Sequence, residues 1–203
     1  MSLEQSIYEL VKVYRRKLHE QIDLRIENMS LDSNDHHLIY KVLGISCQEG
    51  KLIDEYQNKG RFLYKYAGSL LEELTILCFK DKFYDSKIKL KIDNTIGVKP
   101  KKFEIDCVVN NKAYEIKWRD ATTDGDHITK EHTRIKVIKE HGYIPIRIMY
   151  YYPNRSQAIK IQETLETLYK GIGGEYYSGD IAWDYVYKTT DINLFKILKG
   201  MAN

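Results

Sequence analysis

Asp106, Glu115 and Lys117 fall within one short stretch, FEIDCVVNNKAYEIKW (Phe103–Trp118), whose other members are mostly Ile, Val, Tyr and Trp. Charges set in an apolar run are destabilising unless they are paired or used. Two acids held close together are natural ligands for a divalent cation. An ammonium beside them can offset charge on a phosphate under attack. That chemistry needs local structure to bring the three groups onto one side.

A β-hairpin does so. With Asn110-Asn111 as a two-residue turn, Val109 pairs with Lys112 and Cys107 with Tyr114. Continued, this register sets Asp106 opposite Glu115 and Glu104 opposite Lys117. One face is then Ile105, Cys107, Val109, Tyr114, Ile116 and Trp118; Glu104, Asp106, Glu115 and Lys117 all lie on the other. Cross-strand Cβ atoms lie about 4.5–5.5 Å apart, so the paired carboxylates would repel unless one took a proton or a cation intervened. Two readings follow from register alone. One is a Mg²⁺ site with Lys117 alongside; the other is an exposed sheet face with ordinary Glu104–Lys117 and Lys112 pairing.

The elements that must position this hairpin can be read from periodicity. Residues 3–28 carry Ile7, Leu10, Val11, Tyr14, Leu18 and Ile22 at helical spacing. SLDSNDHH reads as a loop, and a short helix to about Tyr56 is expected to break at QNKGR. RFLYKYAGSLLEELTILCF places Leu63, Ala67, Leu70, Leu74 and Leu77 on one helical stripe. KIKLKI (87–92) alternates as a half-buried strand. A helix over about 127–141 ends at Gly142, YIPIRIMYYY is a strand, and Ser156–Tyr169 is an amphipathic helix. GIGGEYYSGD reads as a glycine-rich loop, and short helices near 181–187 and 192–198 close the chain. The order predicts one α/β domain over 1–203, with a mixed sheet flanked by helices. It divides into a helical N-terminal extension (1–60), a core (61–155) and C-terminal helices (156–203).

Composition bounds the rest. The 203 residues suffice for one core, and no apolar run is long enough to span a bilayer, so no membrane partner is expected. Cys47, Cys78 and Cys107 are widely spaced among apolar neighbours, the pattern of reduced, buried thiols in a cytoplasmic protein. A net charge of +3 does not by itself announce a polyanion partner. Locally, eight Lys against three Asp between Lys80 and Lys102 read as a solvated lysine edge.

Asp106, then eight intervening residues, then Glu115-Ile116-Lys117, resembles the signature of the PD-(D/E)XK nucleases. The family's usual proline before the Asp is replaced by Ile105. GSLLEE upstream, a Gly-x-x-x-Glu helix ahead of the hairpin, is similar to the first helix of that fold, and helix–strand–hairpin–helix–strand matches its αβββαβ core. YEIKWRDATTDGDHITKEHTRIKVI and IAWDYV…INLFKIL further resemble ApaLI-like type II restriction endonucleases, a likeness running from Gly68 onward. The resemblance implies a restriction-endonuclease-like fold and a Mg²⁺-dependent endonuclease cutting double-stranded DNA at a specific sequence. Asp106 and Glu115 would hold the metal and Lys117 assist the attacking water. Glu72, with Glu73 next in line, would support the metal. A homodimer matches a two-fold DNA site, and a cognate methyltransferase is the expected companion.

Downstream, Arg119, Lys130 and Arg134 suit a phosphate backbone, with Lys130 and Arg134 at i, i+4 away from the Ile128, Ile135 and Ile138 face. A solvated charged face including Glu131 and Glu140 is the plainer reading. His127 and His132 are five apart and cannot form a zinc pair on one helical face. Asp124 and Asp126 read as turn and cap residues. Two rivals stay open: a structure-specific nuclease of resolvase or repair type using the same site, and a non-catalytic DNA-binding domain on the same fold.

Overall fold

A computed structural model describes residues 2–119 and 126–202, with the side chains of Asp126 and His127 outside the description. The expectations for Asp124, Asp126 and His127 therefore lie beyond the described residues. The chain forms two compact units, Gln5–Leu70 and a second from Leu71 onward that includes the first few residues.

The helical unit holds α1 (Leu3–Leu31), α2 (His37–Val42) and the first part of α3 (Cys47–Lys82). Tyr14 meets Tyr66 edge-on at 6.1 Å, and Arg25 Nε donates to Asn58 Oδ1 at 3.2 Å, so α1 and α3 run antiparallel. The expected break at QNKGR does not occur, and α3 is one helix of 36 residues. Gly60 alone costs only about 1 kcal/mol in a helix, and this stretch has no proline. Asn58 donates to the Asp54 carbonyl and Lys59 pairs with Glu55, both one turn back. The real start of α3 is a capping box that was legible as Ser46-x-x-Glu49. The Ser46 amide donates to Glu49 Oε2 at 2.9 Å, and the Glu49 amide donates back to Ser46 Oγ at 3.2 Å.

The second unit is built on a five-stranded mixed sheet in the order β1 (Lys87–Asp93), β2 (Lys102–Val109), β3 (Lys112–Arg119), β4 (Ile144–Tyr151) and β5 (Glu175–Ser178). The first two pairings are antiparallel; β3–β4 and β4–β5 are parallel. α4 (Asp126–Glu140) and α5 (Ser156–Gly171) make the parallel crossovers, and α6 (Asp180–Thr190) and α7 (Leu194–Ala202) follow. The end of α3 and α6 cover one face. There Phe79 packs on Tyr114 at 4.5 Å, the Tyr114 and Tyr185 hydroxyls lie 3.1 Å apart, and the Thr75 and Tyr150 hydroxyls 2.7 Å apart. α4 covers the other, where Val108 and Ala113 pack with Val137 and Ile138. The result is a restriction-endonuclease-like α/β layering.

Strand β5 corrects the expected glycine-rich loop. Gly173, at φ 74°, turns the chain, and at Gly174 a Cβ would lie 2.6 Å from the Pro145 carbonyl oxygen. The glycines thus admit a close strand beside β4. Cys78 and Cys107 are buried as expected, but Cys47, the first residue of α3, is exposed. Burial pushes the Cys78 and Cys107 thiols up to about 12. A disulfide-exchange reagent at mildly alkaline pH is expected to titrate one thiol of the native protein and three after denaturation. More than one fast-reacting native thiol would contradict this burial.

Candidate active site

The hairpin register holds where the turn sets it and fails where the charges begin. Val109 pairs with Lys112, Val108 with Ala113 and Cys107 with Tyr114, around a turn in which Asn110 takes φ 52°. The ladder then stops. An antiparallel pair at Ile105 and Ile116 would exchange backbone hydrogen bonds next. Instead the Ile116 amide donates to Asp106 Oδ2 at 2.8 Å, the side chain replacing the strand. Neither Asp106–Glu115 nor Glu104–Lys117 is a ladder pair; Glu104 pairs with Lys91 of β1. Asp106 is nevertheless fixed against the Glu115-Ile116-Lys117 strand through the amide between the two charges.

Glu115 is buried and doubly compensated. Its Oε1 lies 2.5 Å from Lys117 Nζ and contacts the Arg134 guanidinium. Burial raises its pKa, but the charges of Lys117, Arg134 and Arg147 outweigh burial and hold Glu115 ionised, well below the ordinary glutamate value. Asp106 goes the other way. Burial, and then the negative charge of Glu115, drive its pKa above the ordinary carboxylate range, with Lys117 and the Ile116 amide offsetting only part. This is an acid pair that lacks positive charge on the Asp106 side.

A lysine from β1 supplies some of it. Lys89 Nζ contacts Glu72 of α3 and lies 3.9 Å from both Glu104 Oε1 and Asp106 Oδ1. Burial works against this ammonium, but the Glu72, Asp106 and Glu104 carboxylates outweigh it and raise its pKa. Lys89 takes φ 51°, a left-handed backbone that costs a non-glycine residue of order 1 kcal/mol or more. Its neighbours Ile88 and Leu90 pair with Cys107 and Ile105, so it sits across from Asp106. Glu72 is half-buried and turned into this group, whereas Glu73 is exposed.

Behind Glu115 lies a second buried layer. Glu131 of α4 accepts from Arg147 Nη1 at 3.1 Å and from the Tyr169 hydroxyl at 2.6 Å. Arg147, on β4 beside Glu115, is fully buried. The plain reading of Glu131 as a solvated residue is therefore corrected. It shares the stripe of Ile128, Ile135 and Ile138, a spacing that already marked it as inward-facing. Arg147 was missed too, although a lone charge inside YIPIRIMYYY was the same kind of signal as the one followed in the hairpin. Of the three basic residues assigned to DNA, Arg119 and Lys130 are exposed, while Arg134 is turned onto Glu115 and, at 4.0 Å, Glu131. His132 is half-buried on α4.

Among the described residues no helix is long and apolar enough to cross a membrane. No curated protein matches the chain significantly. The model of the ApaLI-like restriction endonucleases matches residues 1–203 and so includes the first sixty residues, which the sequence likeness did not reach. Joined to a mixed sheet bearing an acid pair and a lysine on neighbouring strands, that match over the whole chain means that this protein belongs to the ApaLI-like restriction endonuclease family.

Proposed function

We propose that this restriction endonuclease is a type II enzyme hydrolysing phosphodiester bonds of double-stranded DNA at a specific sequence, with Mg²⁺, through Asp106, Glu115 and Lys117. One observation carries the reading: the Asp106 carboxylate is anchored on the amide that separates Glu115 from Lys117, so acid, acid and amine belong to one small buried locus. A partly screened, desolvated Asp106 and a lysine drawn onto three carboxylates are the behaviour of a site built around more positive charge than the chain provides. The donors are all hard oxygens, as Mg²⁺ requires. Asp106 and Glu115 would hold the ion with Glu72 in support. Bound there, it would acidify a water and neutralise charge on the phosphate.

Hydrolysis joins a water oxygen to phosphorus, releases one ester oxygen and places extra negative charge on the phosphate. Lys117, kept protonated by Glu115 and Asp106 despite burial, orients the water and offsets that charge. Arg134 keeps Glu115 ionised and extends the basic edge. Arg119 and Lys130, with Arg134, take DNA phosphates, contacts that hold the backbone without reading bases. A homodimer on a two-fold site and a methyltransferase guarding host DNA complete the proposal.

Plasmid DNA digested in Mg²⁺ is expected to give discrete fragments, and none in EDTA. Cutting confined to branched DNA would replace the site-specific reading with the resolvase-type one, and binding without cleavage in any divalent metal would replace both. Lys89 gives an independent check. Its ammonium competes with a cation for Glu72, Glu104 and Asp106, so Lys89→Met is expected to tighten Ca²⁺ binding several-fold in calorimetry without DNA. Unchanged or weaker binding would mean that Lys89 does not occupy the cation's place.

A further inference from the structure

The helical unit carries a second convergence of ligand atoms, unrelated to the acid pair. His36 and His37 stand at the start of α2, and Asp54 lies one layer away on α3. His36 Nε2 is 2.9 Å and His37 Nε2 3.0 Å from the same oxygen, Asp54 Oδ2. Neighbouring residues seldom aim two ring nitrogens at one point. Here the rings meet at 73°, with centroids 4.4 Å apart, so that their edges converge. The other carboxylate oxygen, Asp54 Oδ1, accepts from the Tyr40 hydroxyl at 2.9 Å, which fixes the carboxylate plane. Gly50 makes the packing possible: a Cβ there would lie 2.7 Å from the Tyr40 ring and 3.5 Å from the His37 ring.

We infer that His36, His37 and Asp54 form a binding site for a borderline-soft divalent cation, Zn²⁺ foremost. Two imidazole nitrogens and a carboxylate oxygen are the donor set that Zn²⁺ prefers and that Mg²⁺ does not. Bonds of roughly 2.0–2.1 Å in a tetrahedron place ligands about 3.3–3.4 Å apart, so the observed separations need to open by only a few tenths of an ångström. Tyr40 is the outer partner that orients the ligating carboxylate. His36 and Asp54 also line a cavity of about 480 Å³, with Ser30, Asn34 and Glu55 on its wall. That space leaves a fourth position to water or to Glu55.

One buried atom limits the affinity. His37 Nε2 faces Asp54 Oδ2 at 3.0 Å, and the buried Nδ1 of the same ring has no hydrogen-bond partner. With Nε2 on a metal, the ring N–H lies at Nδ1, where it stays buried and unsatisfied. The site is therefore weaker than a closed four-ligand zinc centre, with Kd on the order of micromolar, about −8 kcal/mol. Bound metal would tie α2 to α3 and stabilise the helical unit by mass action.

The test uses the full chain, stripped with EDTA and then dialysed. Zn²⁺ titrated calorimetrically is expected to bind at micromolar concentration in the presence of excess Mg²⁺ and to raise Tm. Co²⁺ in its place is expected to show the intense visible bands of a four-coordinate N/O site. His36→Ala, at a residue more than half exposed and thus safe for folding, should abolish both signals; Asp54→Asn should weaken both. No Zn²⁺ binding by the wild type, or Zn²⁺ and Co²⁺ signals in His36→Ala equal to wild type, would overturn the assignment. Signals lost only in Asp106→Asn would place the ion in the acid pair and overturn it equally.

Discussion

Asp106→Asn and Lys117→Met proteins are expected to remain folded and to lose cleavage of wild-type substrate by roughly a thousandfold or more. On the proposed function a bound cation would supply several kcal/mol of transition-state stabilisation, and removal of one preorganised donor at a developing charge commonly costs 10²–10³-fold. The two variants are informative because the structure separates their effects on stability from those on chemistry. The Asp106 charge is disfavoured by burial and by Glu115, so removing it should leave Tm unchanged or higher. Asparagine keeps an oxygen for the Ile116 amide. Lys117 is half-buried, and Arg134 remains on Glu115 when it is lost, so Lys117→Met should lower stability only modestly. Single-turnover cleavage beside thermal melts decides the matter. Either variant cutting at the wild-type rate in Mg²⁺ would remove the proposed assignment. Loss of activity in a protein that no longer melts cooperatively would say nothing about chemistry, which is why the melt accompanies the assay.

The largest stability effect is expected at Arg147. Its guanidinium is fully buried, donates to Glu131 and lies beside Glu115 across β3 and β4. Replacing it with Met leaves Glu131 a buried carboxylate with the Tyr169 hydroxyl and a distant Arg134. Breaking one half of such a pair costs about 3–5 kcal/mol, a large share of a typical domain's stability. Urea midpoints should fall accordingly. The double variant Arg147→Met with Glu131→Gln should recover much of the loss, because no uncompensated charge is then buried. A single-variant loss under about 1 kcal/mol would mean that water or a rearranged Arg134 solvates Glu131.

Much of the candidate site's geometry could be read from residue order because it is local. The Asn-Asn turn fixes Val109–Lys112 and Cys107–Tyr114, and eight residues between Asp106 and Glu115 bring the acids to one end of the hairpin. What failed was extrapolation of that register. A ladder continues by period two only while backbone bonds to backbone, and Asp106 breaks it by taking the Ile116 amide itself. Lys89 and Arg147 were not foreseen because their partners are distant in the chain, and alternation assigns a lysine in KIKLKI to solvent. The missed strand β5 and the unbroken α3 share one cause: glycine was read as punctuation where it served close packing or was simply tolerated. Arg134 shows the limit of helical faces. The i, i+4 rule put it with Lys130, but a long side chain can fold over the edge of its stripe to reach Glu115.

The hydrogen bond from the Ile116 amide also makes the two oxygens of Asp106 unequal. With one lone pair of Oδ2 held by the backbone, Oδ1 is the freer oxygen, and on the function proposed above Asp106 would meet a cation chiefly through it. Ca²⁺ readily accepts both oxygens of a carboxylate and a loose, crowded shell, whereas Mg²⁺ takes single oxygens in a strict octahedron and keeps its waters. On the function proposed above, one backbone contact at a strand end would therefore bias the site toward the smaller of the two abundant alkaline-earth ions.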